Sequence, residues 1–358
     1  MAAVVLASCL VAGACSGSSA PSATQEGRSS STTTSPAPSG SVGPTEGALT
    51  GLAGFDGTVG SADRRRLVAA AEDVVDRGPH AEDPLRVTDT DGPFVRDAQA
   101  AWTLALASHV TGEARYGRAA ADIVDAWVST ARSTEGTCAR SGACATSLMV
   151  SRSAPGLVFA VDALVATGRY TSAQQERFHR WLRRVVLPAA SDRDNNWGDA
   201  GTYLRAVIGV ELGDRGVQEE AAELWRARLD LMESDGVIPE ELRRGDASLM
   251  YSQDALDYKV ATADVLARAG IDLWDHQGEQ GGTLRRSLDL VAAGLDDPDG
   301  WPGGEGDLRI PDPSGVWAIA ADHWGDPTYR DLAAAAAGDD GEGHSAVIWT
   351  HLTHEAAR

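Results

Sequence analysis

Two stretches decide how this chain is read: SDRDNNWGDAGTYLRAVIGVELGD (191–214) and GVIPEELRRGDASLMYSQDALDYKVATADVLARAG (236–270). Each begins with polar residues, settles into apolar residues at helical spacing, and stops at a glycine, Gly213 or Gly270. The first sets two amides, Asn195 and Asn196, and an indole, Trp197, at the start of an apolar helix. The second sets Arg243 and Arg244 just before Tyr251, also near a helix start. Amide, guanidinium and phenol groups beside helix N-termini suit a site for an anionic sugar, because exposed N–H groups and the helix dipole both favour negative charge there.

Outward from these stretches, Ala, Leu and Val recur at helical spacing from about residue 60 onward. The spacing predicts helices over 62–77, 95–112, 115–132, 153–168, 171–187, 197–213, 215–234, 248–269, 283–294, 314–325, 327–337 and 343–355. Thr171 and Asp326 are suitable N-caps. In the helix after Asp214, Val217, Ala221, Leu224, Trp225, Leu229 and Met232 form one apolar stripe. About a dozen short amphipathic helices in consecutive pairs predict an all-α fold, an α/α toroid. No strict repeat at fixed period supports a solenoid of identical units. The long glycine-rich loops at 78–94, 133–150, 188–196, 235–247 and 295–313 are the expected walls of a cleft.

The chain has 358 residues and a net charge of −21, with Lys259 its only lysine. Such a balance excludes broad nucleic-acid binding, which needs a basic footprint. It also repels anionic polymers at long range, but salt screens that repulsion beyond about 8 Å, so local arginines decide affinity inside a cleft. Residues 1–15 are expected to be an export leader with a lipidated cysteine at Cys15, Cys9 being the alternative. Residues 16–55, rich in Ser, Thr, Pro and Gly, are expected to form a disordered tether, and 56–358 the folded domain. This predicts an exported, monomeric protein that meets a membrane only through a lipid anchor. Cys138 and Cys144 bracket a short loop and are expected to pair in an oxidising compartment. No HExxH-type motif appears, so no metal and no cofactor are expected.

Several segments then resemble the α/α-toroid alginate lyase family. RDAQAAWTLALASHVTGEARYGRAAADIVDAW (96–127) and RSAPGLVFAVDALVATGRYT (152–171) are similar to its early paired helices, and DNNWGDAG with the LRRGDASLMYSQDALDYKVATADVLARAGIDLW stretch to its two active-site segments. The likeness covers most of 60–275. It implies a polysaccharide lyase acting by β-elimination on a uronic-acid polymer. Position for position it makes Tyr251 the catalytic acid, Arg244 its support, and Asn195 and Asn196 the carboxylate binders. Where such lyases carry a histidine directly after the asparagines, as base, this chain has Trp197.

The chemistry explains these residue types. β-Elimination removes the proton at C5, beside the carboxylate, and expels the oxygen at C4. Donors at the carboxylate must stabilise the developing enolate, each worth roughly 3–4 kcal/mol when preorganised. Asn195 and Asn196 suit that task, with Arg243, Arg244, Arg193 or Arg205 adding charge. Tyr251 is expected to serve as base and acid in turn, with His80 a second candidate for the base. Trp197 is expected to stack on a sugar face, and Arg152 and Tyr258 to contact substrate. Two other readings stand beside this one. One is a glycoside hydrolase on the same toroid, using carboxylates from Glu240, Glu241, Asp246 and Asp254. The other is a non-catalytic acidic-glycan-binding lipoprotein.

Overall fold

The computed structural model describes residues 49, 59–87, 90–136, 145–303, 307–337, 344 and 347–354. The leader, Cys9, Cys15, Cys138, Cys144 and the tether apart from Leu49 lie outside these residues; Leu49 is 4% exposed and packs in the hydrophobic core. Everything below belongs to one compact unit, Val42–Arg358.

The described residues form helices and no named strand: α1 (Ser61–Val74), α2 (Pro93–Thr111), α3 (Ala114–Thr130), α4 (Ala145–Ala166), α5 (Ser172–Trp181), α6 (Asn196–Glu211), α7 (Arg215–Leu229), α8 (Pro239–Leu242), α9 (Ser248–Arg268), α10 (Leu284–Asp296), α11 (Val316–Trp324), α12 (Pro327–Ala336) and α13 (Thr350–Thr353). Their ends follow from local chemistry. Thr171 and Gln174 form a capping box at α5, and Asp214, Thr283 and Asp326 accept backbone N–H groups at α7, α10 and α12. Gly112 and Gly325 stop α2 and α11 in the left-handed conformation that favours glycine.

The architecture is the expected α/α toroid. Helices α2, α4, α6, α9 and α11 are buried over most of their length and form the inner ring. The outer helices α3, α5, α7, α10 and α12 return the chain between them and bury one face each. Neighbouring inner helices run parallel. Trp102 of α2 packs on Phe159 of α4, Asn196 and Tyr203 of α6 meet Asp254 and Tyr258 of α9, and Ser314, just before α11, bonds Asp257. All five inner N-termini therefore gather at one end.

The ring between α11 and α2 is closed by the chain's own C-terminal segment. Trp102 Nε1 donates to the Ile348 carbonyl (3.4 Å), Trp349 Nε1 to Thr103 Oγ1 (2.9 Å), and Thr350 Oγ1 to the Gly315 carbonyl (2.6 Å). Trp349 is buried with φ of 61°, a conformation a bulky residue keeps only when its surroundings dictate it.

Helix α4 begins eight residues before the expected 153 and runs through Pro155. Its burial against α2 outweighs the hydrogen bond the proline removes; at Gly156 a Cβ would sit 2.8 Å from the Ala98 carbonyl. Helix α4 is long and apolar enough to cross a bilayer, yet 89% of its most apolar window is buried inside the protein, as befits a core helix. The expected helix over 343–355 is a four-residue turn of helix at Thr350–Thr353 among the described residues. A short helix, α8, interrupts the expected loop 235–247.

Glycines fix the entry to α6. A Cβ on Gly198 would lie 1.7 Å from the Arg193 carbonyl, and one on Gly201 would lie 1.9 Å from the Ser191 carbonyl. Arg205 and Arg228 hold the same loop, donating to the Ser191 and Arg193 carbonyls at 3.0 Å each. Arg205, expected near substrate, is thus committed to the fold.

Three outcomes follow. Trp349→Ala should cost about 3–5 kcal/mol, read as a lowered midpoint in thermal or urea unfolding. Gly201→Ala should cost at least ~1–3 kcal/mol by overpacking a backbone that cannot retreat, with loss of activity at temperatures where wild type is folded. Burial pushes His351 down to about 4, with nearby Asp63 pulling upward and Arg66 downward. A group depressed in this way holds its stabilising share above its unfolded value of about 6.5 and loses it as pH falls toward 4. His351→Gln should therefore flatten the decline in unfolding free energy between those pH values.

Candidate active site

Asn195 is the N-cap of α6: its Oδ1 accepts from the Trp197 N–H at 3.1 Å. That bond commits the oxygen and leaves the NH2 as the group that can meet an anion. Asn196 is buried, 2% exposed, and is held twice. Its backbone N–H donates to Glu241 Oε1 at 3.0 Å, and its Nδ2 donates to Asp254 Oδ2 at 2.7 Å. Glu241, also buried, lies 3.4 Å from Arg244 Nε. Burial raises the Glu241 carboxyl above its usual range, against the pull of the Asn196 N–H and the Arg244 charge. The Arg244 guanidinium sits over the Tyr251 ring, 4.8 Å from its centre. One chain of contacts therefore runs from Asn196 through Glu241 and Arg244 to Tyr251.

A second chain runs through α9. Tyr251, Asp254 and Tyr258 share one helical face. Asp254 accepts from Asn196 and, at 3.4 Å, from Arg152 Nη2 of α4. His344 enters from the C-terminal segment; its Nε2 lies 3.1 Å from Asp257 Oδ2 and 3.8 Å from Asp254 Oδ1. Ser314 Oγ donates to the other Asp257 oxygen at 2.5 Å. Burial pushes the Asp257 carboxyl well above the usual range, opposed by Ser314, and pushes His344 down to about 3, with Arg152 acting in the same direction. The imidazole is therefore neutral.

Two cavities flank α9. One, of about 420 Å³, is lined by Gln253, Asp254, Asp257, His344 and the 311–315 loop. The other, of about 340 Å³, is lined by Asn195, Arg228, Glu241, Arg243 and Lys259. Lys259 is buried there and ion-paired to Asp199.

The structure brings together Arg244, Tyr251, Asn196 and Arg152, residues from three separate helices and a loop. Asn195 opens on the smaller cavity instead, beside Arg243, whose exposed side chain pairs with Glu240 at 3.0 Å. Arg193 lies over Trp197, 4.1 Å from the ring centre, so one indole face is already covered. His80 is held by Asp97: its Nδ1 and backbone N–H both bond that carboxylate, at 3.1 and 2.7 Å, and Trp127 shares it. Tyr258, expected to contact substrate, lies inside the packed ring. Its side chain is 0% exposed, packed between Tyr203 and His344, and a sugar cannot touch it. Sequence reasoning missed His344 altogether, since it lies 87 residues from Asp257 in the chain. It weighed Asp254 only as a hydrolase carboxylate, although its place one turn after Tyr251 puts it on the same face.

The alginate lyase family model matches residues 79–301. An alginate lyase of Cobetia marina is 27% identical over 126 residues, which span 33% of this chain and 33% of that protein; the match covers about a third of the curated relative's length. Among solved structures, alginate lyase A1-III from Sphingomonas species A1 aligns over 79% of this chain and 87% of its own, with TM-score 0.59 and 20% identity. An alginate lyase from Bacteroides ovatus aligns over 82% and 94%, with TM-score 0.62 and 15% identity. A substituted form of A1-III complexed with tetrasaccharide gives TM-score 0.61 at 18% identity, over 80% and 90%. At these identities the structural likeness speaks to fold, and the family rests on the model match across more than half the chain. By that match, the chain belongs to the alginate lyase family.

Proposed function

We propose that this protein is a polysaccharide lyase that cleaves a uronic-acid-containing polysaccharide, alginate-like or glucuronan-like, by β-elimination. The observation that carries the reading is the Arg244–Tyr251 stack tied through Glu241 to the Asn196 backbone. It unites phenol, guanidinium and amides at one end of the inner ring, and the family membership supports it.

In this reading the uronate carboxylate accepts from the second Nδ2 hydrogen of Asn196, while Asn195, on the neighbouring cavity, meets an adjacent sugar. That charge stabilisation makes the C5 proton removable. Tyr251, as phenolate beside Arg244, takes the proton from C5. The C5 electron pair forms the C4–C5 double bond as the C4–O bond breaks. The Tyr251 phenol then returns its proton to the departing oxygen, which restores the phenolate. Trp197, backed by Arg193, offers its free face to a neighbouring sugar. The leader and tether favour an enzyme displayed at the cell surface or secreted, acting on an acidic polysaccharide.

A panel of mannuronate, guluronate and glucuronate polymers, followed by ultraviolet absorbance of the unsaturated product, tests this. Wild type should generate absorbance on at least one polymer, and Tyr251→Phe should lose it nearly completely. Asn196→Ala should lower kcat by roughly 10²–10³-fold. New reducing ends without absorbance would establish a hydrolase instead, and binding without turnover a non-catalytic glycan receptor.

A further inference from the structure

We propose that Asp254, Asp257 and His344 form a binding site for a first-row divalent cation such as zinc or manganese, adjoining the proposed lyase site at Asp254. Their ligand atoms all lie within 4.8 Å of one another. Of the two contacts His344 makes, the 3.1 Å one falls in the spacing of roughly 3–3.5 Å expected between ligands about 2.0–2.2 Å from such an ion, and the 3.8 Å one lies a little beyond it. One imidazole with two carboxylates is a donor set that suits zinc and manganese better than calcium, which takes six to eight oxygens.

A second observation points the same way. Two buried polar groups around the cluster have no hydrogen-bond partner among the described residues: Asn196 Oδ1, on an amide whose nitrogen touches Asp254, and the Tyr258 hydroxyl, on the ring 4.4 Å from that of His344. Both side chains are at most 2% exposed. Leaving such groups unsatisfied is costly. The cleft of about 420 Å³ gives access and room for water to complete the coordination. The site escapes a sequence search because its histidine comes from the C-terminal segment, which the fold threads back to α9.

The test uses the full chain, stripped with chelator, incubated with zinc, manganese or calcium, desalted, and assayed for bound metal and for thermal shift. Wild type should retain one equivalent of zinc or manganese and gain thermal stability from it. Asp257→Asn and His344→Gln, checked for native circular dichroism, should each weaken binding by more than about tenfold. Wild type that retains no stoichiometric metal overturns the proposal whether or not the variants fold. Folded variants that retain as much as wild type overturn it too, since the metal then sits elsewhere on an acidic surface. Neither readout depends on lyase activity, so the metal site and the lyase reading stand or fall separately.

Discussion

The carboxylate of Asp254 is the point on which the assembled end of this toroid depends. It accepts from the Asn196 amide of α6 and the Arg152 guanidinium of α4, and it faces His344 from the C-terminal segment, while itself standing on α9. Three inner helices and the segment that closes the ring thus converge on one anion. Removing a partner from such a network leaves buried charge uncompensated, which costs more than an exposed ion pair ever contributes. The same convergence fixes Tyr251, one turn earlier on α9, relative to Asn196. Chemistry at this end is therefore coupled to the closure of the ring.

Closure comes from the chain itself. The toroid has five inner helices, and the remaining gap is filled by residues 347–354, anchored through Trp349 and Thr350 to α2 and to the turn before α11. The segment that completes the hydrophobic core also delivers His344 to the polar end. Stability and site composition share one piece of chain, so damage to the anchor propagates to the site.

Much of this was legible in the residues. Apolar periodicity located the helical pairs, and Thr171 and Asp326 marked true caps, because these signals are local. The pairing of Arg244 with Tyr251 was also legible, since seven residues that turn into a helix start bring them together. What failed was set by distant packing. The apolar spacing reads as a helix from 153, yet burial against α2 extends α4 back to Ala145. Tyr258 shares the Tyr251 face and reads as a contact, yet the ring closes over it. His80 sits in a long loop of the expected cleft, yet Asp97 and Trp127 hold that side of the chain. His344 carried no local signal at all, because its partners come from a helix far earlier in the chain.

The account's central claim is geometric: a uronate held by the Asn196 amide with the Tyr251 oxygen at its C5 and C4. A crystal structure of Tyr251→Phe soaked with a uronate tetrasaccharide tests it most directly. The account predicts a sugar carboxylate within hydrogen-bonding distance of the Asn196 amide and C5 of the same sugar facing the Phe ring edge. A sugar chain lodged in the Asn195–Lys259 cavity, with no ring near the substituted side chain, would contradict it.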